Sequence, residues 1–262
     1  MNSKVIMKRI KQDFDLLASN GYEVVGVFLQ GSQNYNLDTE NSDIDTRAIV
    51  VPKIEDVILN KSPVSKTKIL PDNSHLDVKD IRLMFECYKK QNINFIESLF
   101  TKYCIINPKY DNAFKPILEN AERIAHYNNY AAIKCIMGNM ANKRKDLEKR
   151  FPTKEAIVDK YGYDPKQLHH LIRYNEFLKR YIAGEKYSVC LISKIAKYLK
   201  DIKSYKIVYS VDKAREIADK YLSEAREIEN KYYETHECVV DDGVDSLLNN
   251  VLLDIFKISL KE

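Results

Sequence analysis

The feature that most constrains the fold is a short apolar run that ends at a Gly-Ser pair. Residues 22–30 (YEVVGVFLQ) are rich in Val and aromatic residues and lie between two glycines, which predicts a buried β-strand. The second of those glycines is Gly31, and Ser32 follows it. Residues 43–51 (DIDTRAIVV) predict a second strand. Two aspartates, separated by one residue, lie at its beginning. Because side chains alternate faces along a strand, both aspartates are predicted to point the same way.

These two aspartates, Asp43 and Asp45, have the chemistry of a divalent-metal site. Magnesium prefers oxygen ligands and is usually held by one or two carboxylates plus substrate phosphate. A pair of such ions stabilises both the attacking and the leaving oxygen of an in-line displacement at phosphorus. Gly31 lets the backbone approach a ligand closely, and backbone N–H groups of the turn, with the Ser32 hydroxyl, suit a phosphate. We therefore predict a site for Mg²⁺ or Mn²⁺ and a polyphosphate.

A third carboxylate is expected, because two metals need shared ligands and an attacking hydroxyl needs a base. Asp77 is the best candidate, since it lies in a short alternating segment (SHLDV, residues 74–78) that predicts a neighbouring strand. Asp72 and Asp80 are nearby alternatives. Asp80 also suits the first turn of the helix predicted from residue 79, where an acid is favourable.

Each of these features alone has a plainer explanation. A Gly-Ser pair is usually only a turn, and an Asp-x-Asp sequence often caps a helix or lies in a solvated loop. The order of the features, the apolar runs around them and the third acid together favour a metal site.

In this order, the Gly-Ser pair, Asp43-Ile44-Asp45 and Asp77 resemble the active-site pattern of the DNA polymerase β-type nucleotidyltransferases. The resemblance implies transfer of a nucleoside monophosphate from an NTP, such as ATP, to an acceptor hydroxyl, with release of pyrophosphate. It implies that Asp43 and Asp45 hold two Mg²⁺ ions. Asp77 would bind one metal and take the proton of the attacking hydroxyl, while Gly31 and Ser32 would bind the β- and γ-phosphates.

The string GSQNYNLDTENSDIDTRAIVVP is more similar to one branch of that superfamily, the predicted nucleotidyltransferases sometimes found with RNA-repair genes. The motif of this branch runs roughly G-S-x-x-Y-G-x-x-x-x-x-S-D-x-D-x-R-G. Tyr35 and Arg47 match it, whereas Asn36 and Ala48 replace its usual glycines. Residues 162–173 (GYDPKQLHHLIR) resemble a later helix start of the same branch. The branch implies an RNA or tRNA end as the acceptor.

Two other functions remain open from the sequence. One is nucleotidylation of a protein or small molecule, as in toxin-type or antibiotic-modifying members of the superfamily. The other is a non-catalytic nucleotide- or RNA-binding module, against which the intact set of three acids argues.

Four residues of the predicted helix 165–183 follow i, i+3, i+4, i+7 spacing and therefore share one face: Lys166, His169, His170 and Arg173. A cationic stripe of this kind suits a triphosphate or an acceptor phosphate, and the branch resemblance favours Lys166, His170 and Arg173 for that role. The plainer explanation is a surface stripe with a satisfied buried histidine. The basic run 143–145 is favoured as a solvated face near a helix end, where cations are favourable. Contact with a triphosphate or an RNA backbone is the alternative.

Length and composition are compatible with this interpretation. The 262 residues, 45% hydrophobic, predict a catalytic domain over 1–110 and a helical domain over 111–262. The predicted class is α+β: a small mixed β-sheet nucleotidyltransferase head with flanking helices, followed by an all-helical C-terminal domain. Its helices are predicted at 111–125, 128–150, 165–183, 188–203, 211–235 and 242–260.

The net charge of +4 permits a nucleic-acid partner without demanding one. No apolar run is long enough for a membrane span. Five cysteines without C-x-x-C spacing suggest reduced thiols, and with them a cytoplasmic protein. The sequence does not specify an oligomeric state.

Overall fold

The computed structural model describes residues 3–40 and 42–261. Five strands form one sheet: β1 (Glu23–Leu29), β2 (Thr46–Val51), β3 (Ser65–Ile69), β4 (His75–Asp80) and β5 (Cys104–Ile106). The helices are α1 (Ser3–Ser19), α2 (Ile54–Ile58), α3 (Ile81–Lys89), α4 (Ile93–Ile96), α5 (Asp111–Glu119), α6 (Ala121–Ala125), α7 (Asn129–Lys145), α8 (Glu155–Tyr161), α9 (Pro165–Ile182), α10 (Tyr187–Leu191), α11 (Ala196–Lys203), α12 (Val211–Thr235) and α13 (Asp242–Ser259). The predicted α+β class, with a small mixed sheet, flanking helices and a helical C-terminal region, is confirmed.

The chain forms two compact units. The first comprises the chain up to residue 34, residues 40–128 and the chain from residue 240 onward, and it contains the sheet. The second comprises Tyr35–Thr39 and Asn129–Val239, and it contains α7 to α12. The domain boundary after residue 110 stays a prediction.

In the first unit, the strand order is β3-β4-β2-β1-β5. β2 and β4 are parallel, and every other neighbouring pair is antiparallel. The parallel pair places Arg47 beside Asp77, and β3 places Thr67 on the other side of Asp77. This register decides which side chains meet Arg47 and Asp77 on their face of the sheet.

The opposite face of the sheet carries the hydrophobic core of the first unit. Helix α1 presents Ile6, Ile10 and Leu17 to it, as the helical spacing predicts, and Phe14 packs partly buried beside them. The strand residues of this core are Val24, Val27, Leu29, Ala48, Val50, Leu76 and Val78. Because these residues fill one face, the intervening residues of β2 and β4 point to the other face.

Strand β3 was not placed by the sequence, and β2 begins later than the sequence predicts. Every residue of β3 (SKTKI) is exposed, so no apolar alternation marks it as a strand. Strand β2 begins at Thr46, so Asp43 and Asp45 precede the strand that the sequence places from residue 43. Their orientation therefore follows from local contacts rather than from strand alternation.

In the second unit, the predicted helix 188–203 is two helices, α10 and α11. Arg180 donates to the carbonyl oxygens of Val189 and Ile192 at 2.8 and 2.7 Å, and the backbone N–H of Lys194 donates to Glu176 at 2.6 Å. These side chains of α9 satisfy backbone groups that a continuous helix would pair, so the helix is interrupted there.

Within the described ranges, no helix combines the length and the apolar character needed to cross a membrane.

Candidate active site

The Gly-Ser turn follows β1 directly. Gly31 has φ +83°, a conformation that favours glycine, and Ser32 begins a single 3₁₀ turn that runs to Tyr35. The Asn34 side chain donates to Leu29 O at 2.9 Å and accepts a bond from Thr101 at 2.6 Å. The turn is thus held in place by side-chain bonds on both sides.

The turn is also joined to the two aspartates. Gln33 donates its side-chain N–H to the backbone oxygen of Asp43, and the N–H of Gln30 donates to Asp45 O at 2.8 Å. Asp43 is exposed and Asp45 is half-buried. The structure therefore brings the predicted phosphate turn and the Asp-x-Asp segment together.

Asp45 connects the start of β2 to the start of β4. Its Oδ1 accepts the backbone N–H of His75 at 2.8 Å and lies 3.1 Å from His75 Nδ1. The Asp45 side chain is 35% exposed, so its carboxylate is fixed at one oxygen and still accessible to solvent.

Asp77 has a different environment, since both of its oxygens are engaged. Arg47 Nε lies 2.9 Å from Oδ2, Lys79 Nζ lies 3.1 Å from Oδ1, and the Thr67 hydroxyl donates to Oδ1 at 3.2 Å. Asp77 and Arg47 are both buried, at 8% and 5% exposure. Two cations therefore share one buried carboxylate.

Arg47 is itself held from two further directions. Its Nη1 donates to Asn94 O at 2.6 Å, and its guanidinium lies 3.8 Å above the Phe95 ring. A stacked and hydrogen-bonded guanidinium is well compensated for burial. Arg47, Asp77 and Phe95 thus form a fixed group of contacts on one face of the sheet.

The fit to a divalent metal differs between the three aspartates. Within residues 3–40 and 42–261, no group of three or more His, Cys, Asp or Glu side chains is arranged so that it could hold a metal ion. Asp43 and Asp45 have accessible carboxylates of the type that holds Mg²⁺ together with a substrate phosphate. Both oxygens of Asp77 are engaged by Arg47 and Lys79 in this arrangement, so its role as a metal ligand stays a prediction.

The alternatives to Asp77 have structural roles. Asp80 caps α3, accepting the N–H of Arg82 at 2.9 Å. Asp72 accepts a bond from Arg9 at 3.0 Å and the N–H of Ser74 at 3.1 Å. Among these three acids, Asp77 alone sits in the interior of β4 beside β2, on the face that Arg47 shares.

The remaining predicted residues, Lys166, His170 and Arg173, lie on α9 in the second unit. Lys166 is exposed, whereas Arg173 is buried and its guanidinium lies 3.6 Å from the centre of the Tyr35 ring. His170 keeps some exposed surface, but its Nδ1 is buried. Burial, and then the charges of neighbouring basic groups, lower the pKa of His170 well below 6.5.

Three residues of these surroundings were not predicted to take part: Lys79, Phe95 and Lys143. Lys79 follows Asp77 at i+2, which puts both on one face of a strand, and this was the one signal that the sequence offered. Phe95 lies on an element distant in sequence from Arg47 and gives no such signal. For Lys143, in the second unit, the signal was the basic run 143–145, which was interpreted as a solvated face.

Comparisons with known proteins add little to this geometry. No family model matches the chain, and no curated protein matches it. Among solved structures, the chain is similar to a nucleotidyltransferase-like protein from Exiguobacterium sibiricum, with a TM-score of 0.33 and 11% identity over 86% of this chain and 75% of that one. A likeness at this level assigns neither fold family nor activity, so function is inferred from the residues.

Proposed function

We propose that the chain is a nucleotidyltransferase that moves a nucleoside monophosphate from an NTP to an acceptor hydroxyl. The observation that carries the proposal is the direct connection between the Gly31-Ser32 turn and the Asp43-x-Asp45 segment, made by the bond from Gln33 to Asp43 O. A phosphate-binding turn beside two accessible carboxylates suits a nucleoside triphosphate with its metal.

In the proposed reaction, the acceptor oxygen bonds to the α-phosphorus, the bond from that phosphorus to the β-phosphate oxygen breaks, and pyrophosphate leaves. Backbone N–H groups of the turn, with Ser32, would bind and orient the phosphates. Asp43 and Asp45 would hold Mg²⁺ or Mn²⁺, which when bound supplies charge stabilisation at the reacting phosphoryl group. The second-unit residues Lys166, His170 and Arg173 stay predicted contacts of a phosphate.

Asp77 was expected to be a metal ligand and the base. For either role, Arg47 or Lys79 would have to leave an oxygen of Asp77, so that the metal or a proton could bind there. We therefore assign no step to Asp77. In the arrangement described, Asp77 is the counter-ion of Arg47 and Lys79.

The acceptor is proposed from the sequence resemblance alone. The branch that the motif resembles implies an RNA or tRNA end, and the net charge of +4 is compatible with such a partner. A protein or a small molecule remains the alternative acceptor.

A second candidate function is a non-catalytic nucleotide- or RNA-binding module. The ion pairs of Asp77 with Arg47 and Lys79 favour it, because a catalytic set of three acids needs that carboxylate to be accessible. The two candidates differ in turnover and not in nucleotide binding.

The test is incubation with each α-labelled NTP and Mg²⁺ or Mn²⁺, with and without total cellular RNA. Label is expected to enter RNA with the wild-type chain and to be lost in Asp43→Asn, because that change removes one metal-binding charge. The matched control is Asp56→Asn, a partly exposed acid of α2 paired with Lys61, which is expected to leave transfer unchanged.

Wild-type-like transfer by Asp43→Asn would overturn the metal-ligand assignment. If the label enters a polypeptide, the acceptor is a protein and not RNA. Binding of NTP without release of pyrophosphate under any condition would favour the non-catalytic module.

A further inference from the structure

Basic side chains of the second unit gather where α7 ends and α9 begins. The backbone N–H of Asp164, which caps α9, donates to Leu147 O just beyond α7 at 2.8 Å. Lys143 lies one helical turn before Leu147, and Lys166 and His170 lie in the first two turns of α9. The hydrogen bond joins the end of α7 to the start of α9, so Lys143 lies near Lys166 and His170.

Lys143 differs from its neighbours in the basic run of α7. Arg144 pairs with Asp219 at 2.6 Å, and Lys145 is exposed. Lys143 is half-buried, and this burial lowers the pKa of its ammonium, as does the charge of Lys166. The run is therefore not one solvated face, because its first residue turns inward.

Polar atoms at and near His170 are also buried without a hydrogen-bond partner. Among the described residues, the buried atoms His170 Nδ1 and Gln167 Oε1 have no hydrogen-bond partner. The charges of Lys143, Arg173 and Lys166, with the adjacent His169, add to burial in lowering the pKa of His170. Buried polar atoms without partners are rare in folded proteins and call for a ligand or another cause.

The acids that face Lys143 are already engaged. Asp164 accepts the N–H of Lys166 at 2.9 Å and the side chain of Gln167 at 3.3 Å. Asp146 lies 3.8 Å from Lys149. These carboxylates raise the pKa of Lys143, but burial and Lys166 outweigh them.

We propose that Lys143, Lys166 and His170 form a binding site for a phosphoryl group within the second unit. Two ammonium groups supply charge, and the imidazole supplies an N–H donor, which together match an anion with two charges and several acceptor oxygens. Arg173 is stacked on Tyr35, and its charge adds positive potential at His170. The site stands without the proposed transfer reaction, because it concerns binding at equilibrium.

The test is a titration of the full chain with inorganic phosphate and pyrophosphate in the absence of metal, at constant ionic strength set with chloride. The histidine ring resonances are followed by NMR and assigned with His170→Gln. A saturable shift of the His170 resonance is expected, together with a rise of its pKa, because a bound anion favours the protonated ring.

Matched variants make the result specific to the site. Lys143→Ala is expected to weaken phosphate binding about tenfold, since it removes one charge-assisted contact. Lys145→Ala, two residues further along the same helix and exposed, is expected to leave binding unchanged. Lys166→Ala changes an exposed side chain, so it tests the site even if Lys143→Ala impairs folding.

Equal weakening by Lys143→Ala and Lys145→Ala, or no shift of His170 on saturation, would overturn the proposal. Asp43→Asn is expected to show the same His170 shift with phosphate as the wild-type chain. Loss of the transferase activity and loss of the second-unit site are therefore separable. The source of the phosphoryl group is distinguished by comparing ATP with a 5′-phosphorylated and a 5′-hydroxyl oligoribonucleotide. A His170 shift with ATP alone identifies the nucleotide, and one with the phosphorylated RNA alone identifies an RNA end.

Discussion

Two groups of basic side chains, one in each unit, differ in how their burial is compensated. In the first unit, Arg47 and Lys79 share the carboxylate of Asp77 at 2.9 and 3.1 Å, and Phe95 covers the guanidinium. In the second unit, Lys143 and His170 lie among other basic groups, and the pKa values of both are lowered. The first arrangement is complete within the chain, whereas the second is electrostatically unfavourable without an anion. The difference separates a structural ion pair from a candidate binding site.

The largest effect is expected from breaking the compensated group with Asp77→Asn. The variant keeps the side-chain shape but leaves Arg47 and Lys79 buried without a counter-charge, so unfolding should cost about 3–5 kcal/mol less. Urea or thermal unfolding measures this loss. Asp254→Asn, an exposed acid that pairs with Lys257, is the control and is expected to change stability little. Equal stability of the two variants would contradict the structural role of Asp77.

Acid should destabilise the second unit through its buried histidines. Burial lowers the pKa of His169 to about 4, and the charges of Arg173, Lys203 and Lys166 add to this effect. The unfolded chain, with a histidine pKa of about 6.5, then binds more protons, so stability falls as the pH drops from about 6.5 to 4. The loss from His169 alone is about 3 kcal/mol over that range.

The control for the acid prediction is His169→Asn, because an asparagine N–H can replace the bond from His169 Nδ1 to Leu199 O. Its stability should depend less on pH between 4 and 6.5, with the remaining slope due to His170. Urea unfolding at several pH values measures both proteins. An unchanged slope in the variant would show that His169 does not carry the effect.

The smallest effect comes from a matched pair of lysines, and it sharpens the comparison most directly. Lys79→Met removes a cation 3.1 Å from Asp77 and should destabilise the chain by about 1–2 kcal/mol. Lys143→Met removes a half-buried charge near other cations and should leave stability unchanged, or raise it by about 1 kcal/mol or less. Both are measured by urea unfolding at pH 7. A greater loss for Lys143→Met than for Lys79→Met would reverse the interpretation of the two groups.

Much of the fold followed from local signals. Asp164 with Pro165 predicted the start of α9, and the structure has Asp164 accepting the N–H of Lys166. Ser210 caps α12, whose predicted bounds agree with the structure. Asn36, just after the 3₁₀ turn, takes φ +60°, which asparagine tolerates better than most residues.

The prediction was wrong where a local pattern competed with contacts from elsewhere. Strand β3 carries alternating lysines and no buried residue, so only its pairing with β4 makes it a strand. The helix predicted over 188–203 has good local propensity, but Arg180 and Glu176 bind its backbone and divide it. Neither outcome could follow from the segment alone, because the partners are side chains or strands of other elements.

The sequence by itself determined the elements and the candidate residues of this protein. Apolar periodicity, caps and turn residues act over a few positions, and they placed β1, β2, β4, most helices, the Gly31-Ser32 turn and the aspartates in the chain. The tertiary structure alone decided which charges meet. The parallel register of β2 and β4 set Arg47 beside Asp77, thirty residues away, and the approach of α7 and α9 set Lys143 beside Lys166. Electrostatic interactions depend on distance in space, which local sequence patterns do not encode.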